Sequence, residues 1–220
     1  MKVTTDACLL GAWAPVPSAG RFLDIGTGTG LLPLMMAQRS QGIIDAIEVE
    51  EDSCAQAREN IEESKFRDRI TLILADVMDY ATQYNGLCYD FIICNPPFFQ
   101  RQLPAASAKT NIARHDVRLN AGQLLSAVKN LLKPQEGKFS VLLPFRQAKE
   151  FISSAQKENL FLWEELLIRS KPRKAVIRCV MIFRPSPTQK IKSESLSIKD
   201  DEGNHTEIFS SLMRDFYLKV

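Results

Sequence analysis

The stretch DIGTGTG at residues 24–30 constrains the fold more than any other part of the chain. It follows the apolar run RFLDI and precedes a helical pattern, so it joins a strand to a helix. Alternate glycines let a backbone turn sharply and approach a ligand closely. A dinucleotide fingerprint requires G-x-G-x-x-G, but Leu31 follows Gly30, so the spacing is G-x-G-x-G. The stretch predicts a ligand-binding turn; a tight turn without a ligand is the alternative.

Strand-like and helix-like patterns alternate over the first two thirds of the chain, which predicts an α/β fold. The strand-like segments are 21–26, 42–50, 70–76, 89–95 and 138–144. Residues 6–14 predict a short helix with Asp6 as its N-cap, and residues 145–158 predict a further helix. Two further strand-like runs, LFLWEELLIRS and KAVIRCVMIFRP, are joined by a short turn and predict an antiparallel pair at the sheet edge. Residues 186–206 are polar and predict a loop with a short strand near residues 196–198, and a last helix covers 206–215.

Composition excludes several classes of protein. With 220 residues, 45% of them hydrophobic, the chain can bury one sizeable core. It has no apolar run of about 18 residues, as a transmembrane helix requires, so we expect no membrane partner. Five cysteines without C-x-x-C spacing and two histidines give no metal constellation. Reduced thiols of this kind are typical of a cytoplasmic protein.

Acidic and amide side chains end successive predicted strands. Glu48 lies near the end of the second strand, Asp76 ends the third and Asn95 ends the fourth. In an open parallel sheet, ligands bind outside the carboxyl ends of the strands. A carboxylate at Glu48 could accept both hydrogen bonds of a ribose diol, with Glu50 as a competing candidate, and Asp76 could accept from an adenine amino group.

The segment Asn95-Pro96-Pro97-Phe98 follows the fourth strand. Each proline fixes its own φ and holds the preceding residue extended, so the carbonyl groups and the Asn95 amide oxygen can converge as rigid acceptors. Two such acceptors suit a planar NH2 group, and Phe98 could stack on the attached ring. A rigid surface turn is the alternative, and Phe99 could belong to the pocket or to the core.

Charge is unevenly distributed, although the net charge is only +2. Residues 45–90 carry twelve acidic and four basic side chains, whereas residues 166–193 carry eight basic side chains and no acidic one. This asymmetry favours a polyanionic partner. A solvated basic hairpin is the alternative.

Together these motifs resemble the class I S-adenosylmethionine-dependent methyltransferases that methylate amino groups and carry (D/N/S)-P-P-(Y/F/W). The resemblance implies a Rossmann-like, seven-stranded, mostly parallel sheet with an antiparallel C-terminal β-hairpin and helices on both faces. It implies one domain over 1–220, with a cofactor-binding and catalytic half at about 3–160 and a hairpin with a basic edge at about 160–220. The implied cofactor is S-adenosyl-L-methionine, and the implied catalytic residues are Asn95, Pro96, Pro97 and Phe98. The implied cofactor-binding residues are Asp24, Gly26, Gly28, Gly30, Glu48, Asp76 and Asn95.

A narrower resemblance covers nearly the whole chain. MKVTTDACLLGAWA at 1–14, NPPFF at 95–99, ARHD at 113–116 and DFYL at 215–218 are similar to the bacterial tRNA1(Val) (adenine-37-N6)-methyltransferases. Family members usually carry a further segment before the residue that matches Met1, so we expect a late start or a truncation. The implied partner is a single-stranded anticodon-loop adenine of tRNA. The candidate phosphate contacts are Arg101, Lys109, Arg114, Arg118, Arg173 and Lys174.

Four other functions stay open at this point. A protein glutamine amide also carries a planar NH2, so N5-methylation of glutamine would suit the same motif. N6-methylation of adenine in ribosomal RNA or DNA is a second alternative. A non-catalytic RNA-binding module would be a different class of protein, and Leu31 argues against a nicotinamide oxidoreductase.

Overall fold

The computed structural model describes residues 4–84, 88–96 and 119–217. Within these ranges the helices are α1 (Thr5–Trp13), α2 (Leu31–Arg39), α3 (Glu51–Glu62), α4 (Val77–Gln83), α5 (Ala121–Leu131), α6 (Phe145–Lys157) and α7 (Glu207–Met213). The strands are β1 (Arg21–Ile25), β2 (Ile43–Glu48), β3 (Ile70–Leu74), β4 (Phe91–Cys94), β5 (Lys138–Pro144), β6 (Phe161–Arg169), β7 (Val176–Arg184) and β8 (Lys192–Ser197). A short 3-10 helix, Arg67–Arg69, precedes β3.

One sheet contains all of these strands, in the order β3-β2-β1-β4-β5-β7-β6-β8. The first five strands of that order are parallel, β7 runs antiparallel to β5 and β6, and β8 is parallel to β6. The prediction of a mostly parallel sheet with an antiparallel C-terminal pair is therefore confirmed. The predicted count of seven strands is wrong, because the described residues form eight.

The additional strand is β8, of which the sequence pattern predicted only the end, as a short strand near residues 196–198. Its sequence KSESLS carries one buried apolar side chain, Leu196, and it pairs only with β6 at the edge of the sheet. An edge strand with one solvated face needs little apolar alternation, so period-two analysis gives a weak signal.

Helices cover both faces of the sheet because each strand between β1 and β5 buries side chains on both sides. On one face α4, α5 and α6 pack over a core that includes Leu23, Ile92 and Phe139. On the other face α1, α2, α3 and α7 pack over a core that includes Phe22 and Ile44. None of the helices in the described ranges combines the length and the apolar character that crossing a bilayer requires.

Helix α1 begins one residue earlier than the sequence suggested. Its N-cap is Thr4, whose hydroxyl accepts a hydrogen bond from Ala7 N at 3.2 Å, whereas the sequence favoured Asp6. Asp6 instead accepts from the Arg178 guanidinium at 2.9 Å. This ion pair joins α1 to the start of β7, because a charged partner competes with the cap for the carboxylate.

Candidate active site

The carboxyl ends of four neighbouring strands meet at one end of the sheet. Register pairs Ile25 with Ile47 on one side and with Cys94 on the other, and β2 ends beside Leu74. The glycine loop comes directly after β1 in the sequence. It therefore lies between the residues that come after β2 and those that come after β4. This end of the sheet, called the catalytic end below, holds the glycine loop, Glu48, Asp76 and Asn95.

The glycine loop turns away from the sheet at Gly26, where two successive amides, Gly26 N and Thr27 N, both donate to Ile47 O at 2.9 Å. Gly26 has φ +72°, which non-glycine residues rarely adopt, and a Cβ built there would meet no atom within 4 Å. The loop thus presents bare backbone to open space. A ligand can approach this backbone more closely than it could approach side chains.

The Glu48 carboxylate holds the glycine loop against β2. Oε2 accepts from Gly28 N at 2.7 Å, and Oε1 accepts from Val49 N at 2.9 Å and Glu50 N at 3.1 Å. Glu48 is only 7% exposed, whereas Glu50 is exposed at the start of α3. A carboxylate has about four acceptor positions, so Glu48 keeps capacity for a further donor. The placement favours Glu48 over Glu50 as a ligand group.

Asp24 is fully buried beneath the loop, and neither of its carboxyl oxygens has a hydrogen-bond partner among the described residues. Burial, with a smaller contribution from the negative charge of Glu48, raises the pKa of Asp24 to about 7. The neighbouring Thr27 hydroxyl partly offsets this rise, although its oxygen does not reach hydrogen-bond geometry. An unpartnered carboxyl of this kind is costly, which indicates a site built to receive a positively charged group or a donor.

Asp76 begins α4 as its N-cap. Its Oδ1 accepts from Met78 N at 2.7 Å, and Oδ2 has no hydrogen-bond partner among the described residues. Strand β3 ends at Leu74, two residues before Asp76, so the start of α4 lies at the same end of the sheet. Asp76 can therefore cap the helix and bind a ligand donor at the same time.

Asn95 and Pro96 continue from β4 next to the glycine loop, since Cys94 pairs with Ile25. Asn95 is half-buried and Pro96 is buried. Both residues therefore lie at the catalytic end, beside the glycine loop. The predicted partners Pro97 and Phe98 lie outside the described residues.

The predicted basic candidates are only partly placed. Arg173 and Lys174 lie exposed in the turn between β6 and β7, and the register of Pro144 with Arg178 places this turn at the catalytic end. The remaining candidates, Arg101, Lys109, Arg114 and Arg118, lie outside the described residues.

The basic stretch at 166–193 does not act as one patch. Arg184 lies at the opposite end of the sheet, where its guanidinium packs 4.0 Å from the Trp163 ring, and Lys192 pairs with Glu194 at 2.7 Å. The antiparallel course of β7 separates these side chains from Arg173 and Lys174. Within residues 166–193, the turn and its immediate flanks are the part that brings positive charge to the catalytic end.

Sequence patterns did not find the Asp6–Arg178 ion pair, although it lies at the catalytic end beside Pro144. The partners are 172 positions apart, so only strand register reveals them. In the part of the chain that is described, no three histidine, cysteine, aspartate or glutamate side chains come together as metal ligands would.

Known proteins match this chain in sequence. The family model "Methyltransferase small domain" matches residues 7–139. A tRNA1(Val) (adenine(37)-N6)-methyltransferase of Parabacteroides distasonis is 40% identical over 220 residues, which cover 100% of this chain and 92% of that protein. The protein of the same name from Dyadobacter fermentans is 43% identical over 223 residues, covering 100% of this chain and 91% of that protein.

Solved structures share the fold at much lower identity. Protein Atu636 from Agrobacterium tumefaciens, described as a predicted O-methyltransferase, superposes with a TM-score of 0.74 at 18% identity and covers 96% of both chains. TrmK of M. capricolum, solved with S-adenosyl-homocysteine, has a TM-score of 0.57 at 13% identity, covering 98% of this chain and 84% of that one. These likenesses establish a methyltransferase fold.

The catalytic end fits S-adenosylmethionine, the cofactor of this enzyme class. Open space faces the bare backbone of Gly26, and the buried carboxyl of Asp24 lacks a partner that a cation or donor would supply. Glu48 and Asp76 keep free acceptor positions beside them. The matched model covers more than half of the chain, and full-length relatives exceed 30% identity. The chain is an S-adenosylmethionine-dependent methyltransferase and belongs to the methyltransferase small domain family and, within it, to the family of the tRNA1(Val) (adenine(37)-N6)-methyltransferases.

Proposed function

We propose that the protein methylates the N6 amino group of adenosine 37 in the anticodon loop of tRNA1(Val). One observation carries the proposal: Asn95 and Pro96 follow β4 beside the glycine loop, where two rigid acceptors would adjoin the cofactor site. The names of the full-length relatives supply the substrate and the position. An acceptor pair for a planar amine fits that substrate, because adenine N6 carries two hydrogens.

Three groups at the catalytic end would hold the cofactor. The N–H groups and open face of the glycine loop would take its methionine part, with Asp24 compensating positive charge. Glu48 would accept from the ribose hydroxyls while it keeps the loop closed through Gly28. Asp76 would accept from the adenine amino group through Oδ2, since Oδ1 caps α4.

The chain's contribution to methyl transfer is position and electrostatics. When bound, S-adenosylmethionine supplies an electrophilic methyl group on a sulfonium sulfur, which leaves as a neutral thioether. Asn95 Oδ1 and the Pro96 carbonyl would each accept one N6 hydrogen, which directs the nitrogen lone pair at the methyl carbon. The same two oxygens would stabilise the positive charge that develops on N6 before its proton passes to water.

RNA binding would use the turn between β6 and β7 and the segment after Pro96. Phe98 would stack on an adenine that has left the loop stack, as single-stranded RNA recognition generally requires. Arg173 and Lys174 would contact phosphates, and Arg101, Lys109, Arg114 and Arg118 stay predictions of the same kind. This function also implies a cytoplasmic location.

Methyl transfer to unmodified tRNA tests the proposal. Purified protein is incubated with tritiated S-adenosylmethionine and unmodified transcripts of total tRNA, followed by nucleoside mass spectrometry. We expect N6-methyladenosine in tRNA1(Val), and none in a transcript whose adenosine 37 is replaced by guanosine. Parallel reactions contain ribosomal RNA, DNA or total protein in place of the tRNA. Label that appears in one of these reactions and not in tRNA would refute the proposed substrate.

Replacement of Asn95 tests the mechanism. Asn95→Ala removes one acceptor without touching the glycine loop, so we expect methyl transfer to fall by a factor of about 100 or more, as for other lost transition-state hydrogen bonds. The Kd of S-adenosylmethionine, measured by calorimetry, should stay within a few-fold of the wild-type value. A variant with full activity would refute the role of Asn95.

A further inference from the structure

Two large apolar side chains are exposed at the catalytic end, away from the cofactor site. Phe145 is 43% exposed and Ile177 is 41% exposed. The register pairs Pro144 with Arg178, so Phe145 follows and Ile177 precedes the last pair of the β5–β7 ladder. They are therefore neighbours at the point where that ladder ends.

Both side chains lie on the same face of the sheet. Cys179, Met181 and Phe183 of β7 belong to the core beneath α6, and side chains of a strand alternate between faces, so Ile177 shares that face. Phe145 is the first residue of α6, which packs on this face. Together they form an apolar surface, called the Phe145 surface below.

The order of strands places the Phe145 surface on the substrate side. The glycine loop, Glu48 and Asp76 occupy the ends of β1, β2 and β3, and the amine acceptors follow β4. A substrate that approaches the acceptors from the side opposite the cofactor must pass over the ends of β5 and β7. Neighbouring strands are about 4.8 Å apart, so β7 lies roughly 10 Å from β4, a distance that adjacent nucleotides of a splayed single strand can span.

Charge around the Phe145 surface favours a nucleic acid over a protein segment. Arg146 follows Phe145, and Arg173 and Lys174 are exposed in the turn that precedes Ile177. Neither turn residue forms an ion pair with another described residue. An apolar surface surrounded by unpaired cations matches a base with its phosphate, since aromatic side chains stack on bases and cations bind phosphates.

We propose that the Phe145 surface stacks on the base of a nucleotide adjacent to the target adenosine. This inference rests on the proposed function, because it assumes an RNA loop opened at that adenosine. Phe145 supplies the stacking face, Ile177 extends it, and the neighbouring cations hold the phosphate between the two nucleotides. The surface would thus fix the backbone on one side of the adenine, and it adds a specificity-determining residue that the sequence motifs do not contain.

A double-mutant cycle between protein and RNA tests the stacking contact. The probe is a synthetic anticodon stem-loop of tRNA1(Val), intact or with an abasic site directly 5′ or 3′ of adenosine 37, and its Kd is measured by fluorescence anisotropy with S-adenosyl-homocysteine present. Phe145→Ala should raise the Kd of the intact hairpin by about fivefold or more. One of the abasic hairpins should have a Kd for the wild-type protein that is higher by a similar factor. Phe145→Ala combined with that abasic hairpin should raise the Kd no more than either change alone.

Tyr84→Ala provides a matched control, because Tyr84 is 42% exposed and follows α4 at the opposite end of the sheet. We expect Tyr84→Ala and Phe145→Trp to bind the hairpin with wild-type affinity. Phe145→Ala should bind S-adenosyl-homocysteine with wild-type affinity. Unchanged affinity of Phe145→Ala for the intact hairpin would overturn the inference. So would independent effects, in which the affinity losses caused by Phe145→Ala and by the abasic site multiply for both abasic hairpins. Failure of the proposed function would look different, since the wild-type enzyme itself would then form no N6-methyladenosine in tRNA.

Discussion

Burial without a hydrogen-bond partner raises the pKa of Asp24 to about 7, so this carboxyl exchanges its proton within the pH range of ordinary assays. A positively charged ligand beside it favours the ionised form, and binding then releases a proton. We therefore expect the affinity for S-adenosylmethionine to rise as the pH increases from 6 to 8. The slope should be at most about tenfold per pH unit below the pKa and should flatten above it.

Calorimetry in two buffers of different ionisation enthalpy measures both the Kd and the released proton. Asp24→Asn removes the titrating group, so this variant should bind more weakly and show little dependence on pH between 6 and 8. A wild-type Kd that is constant over this range would mean that Asp24 does not face the charge of the cofactor.

The same carboxyl affects the stability of the ligand-free protein with a defined sign. Its pKa is raised from 3.8 in the unfolded chain to about 7 in the folded protein, so between these values the folded state binds more protons. Asp24 therefore destabilises the fold increasingly as the pH rises, until the effect saturates above pH 7. The Tm of Asp24→Asn relative to wild type should increase from pH 5 to pH 8 in thermal denaturation, and a constant difference would contradict the raised pKa.

Sequence position identified the candidate residues, but not their electrostatic state. Asp24, Glu48 and Asp76 were predicted from the ends of strands, and the structure places all three at the catalytic end. The missing partner of Asp24 and the three amides at Glu48 depend on how the loop folds back on β2. Such contacts join residues 20 or more positions apart or follow from turn geometry, so a linear pattern does not contain them.

The Asp76 side chain caps α4 and is proposed to bind the cofactor, and two substitutions can separate these roles. Asp76→Ala removes the N-cap as well as the free oxygen, which should lower the free energy of unfolding by about 1 kcal/mol and weaken S-adenosylmethionine binding. Asp76→Ser keeps a cap to Met78 N but shortens the side chain. It should unfold in urea close to wild type and still bind the cofactor weakly.

Calorimetry on both variants decides between the two roles. Equal losses of affinity in Asp76→Ala and Asp76→Ser would assign the binding energy to the carboxylate itself. Wild-type affinity in Asp76→Ser would show instead that Asp76 acts only by fixing the start of α4.

Elements with strong periodicity were predictable, and the exceptions have physical causes. The parallel strands are apolar on both faces. The helix predicted at 145–158 agrees with both ends of α6 to within one residue. The strand β8 was missed in the count because an edge strand with one buried side chain lacks a clear period. The cap of α1 was misplaced because Asp6 is a good cap by type, but its carboxylate pairs with Arg178 across the fold.

At the scale of the whole molecule, one continuous sheet separates the candidate cofactor groups from the candidate RNA-binding groups. The ends of β1 to β3 carry the cofactor candidates, β4 carries the amine acceptors, and β5 to β7 carry the apolar and basic groups. Strands from before and after residue 160 belong to the same sheet. This agrees with a single domain over 1–220, which stays a prediction. The strand order explains how groups spread over 150 positions serve one reaction, because parallel strands end at the same side.

The division of the basic stretch leads to a prediction with an internal control. Arg173 and Lys174 lie at the catalytic end, whereas Lys157 at the end of α6 and Lys190 before β8 are exposed at the opposite end. Reversing either pair to glutamate changes the net charge by the same amount. Only the Arg173→Glu, Lys174→Glu protein should bind the anticodon stem-loop more weakly. The slope of log Kd against log salt should decrease by about 1.4 if both side chains contact phosphates of a single strand.

Equal weakening by both pairs would mean that the RNA responds to the total charge of the protein and not to a surface. Unchanged binding in the Arg173→Glu, Lys174→Glu protein would place the RNA elsewhere. A loss confined to this pair, with normal affinity for S-adenosyl-homocysteine, would locate the RNA over the ends of β5 and β7. The target adenine would then enter the site from the side opposite the cofactor, since the glycine loop, Glu48 and Asp76 occupy the other strand ends.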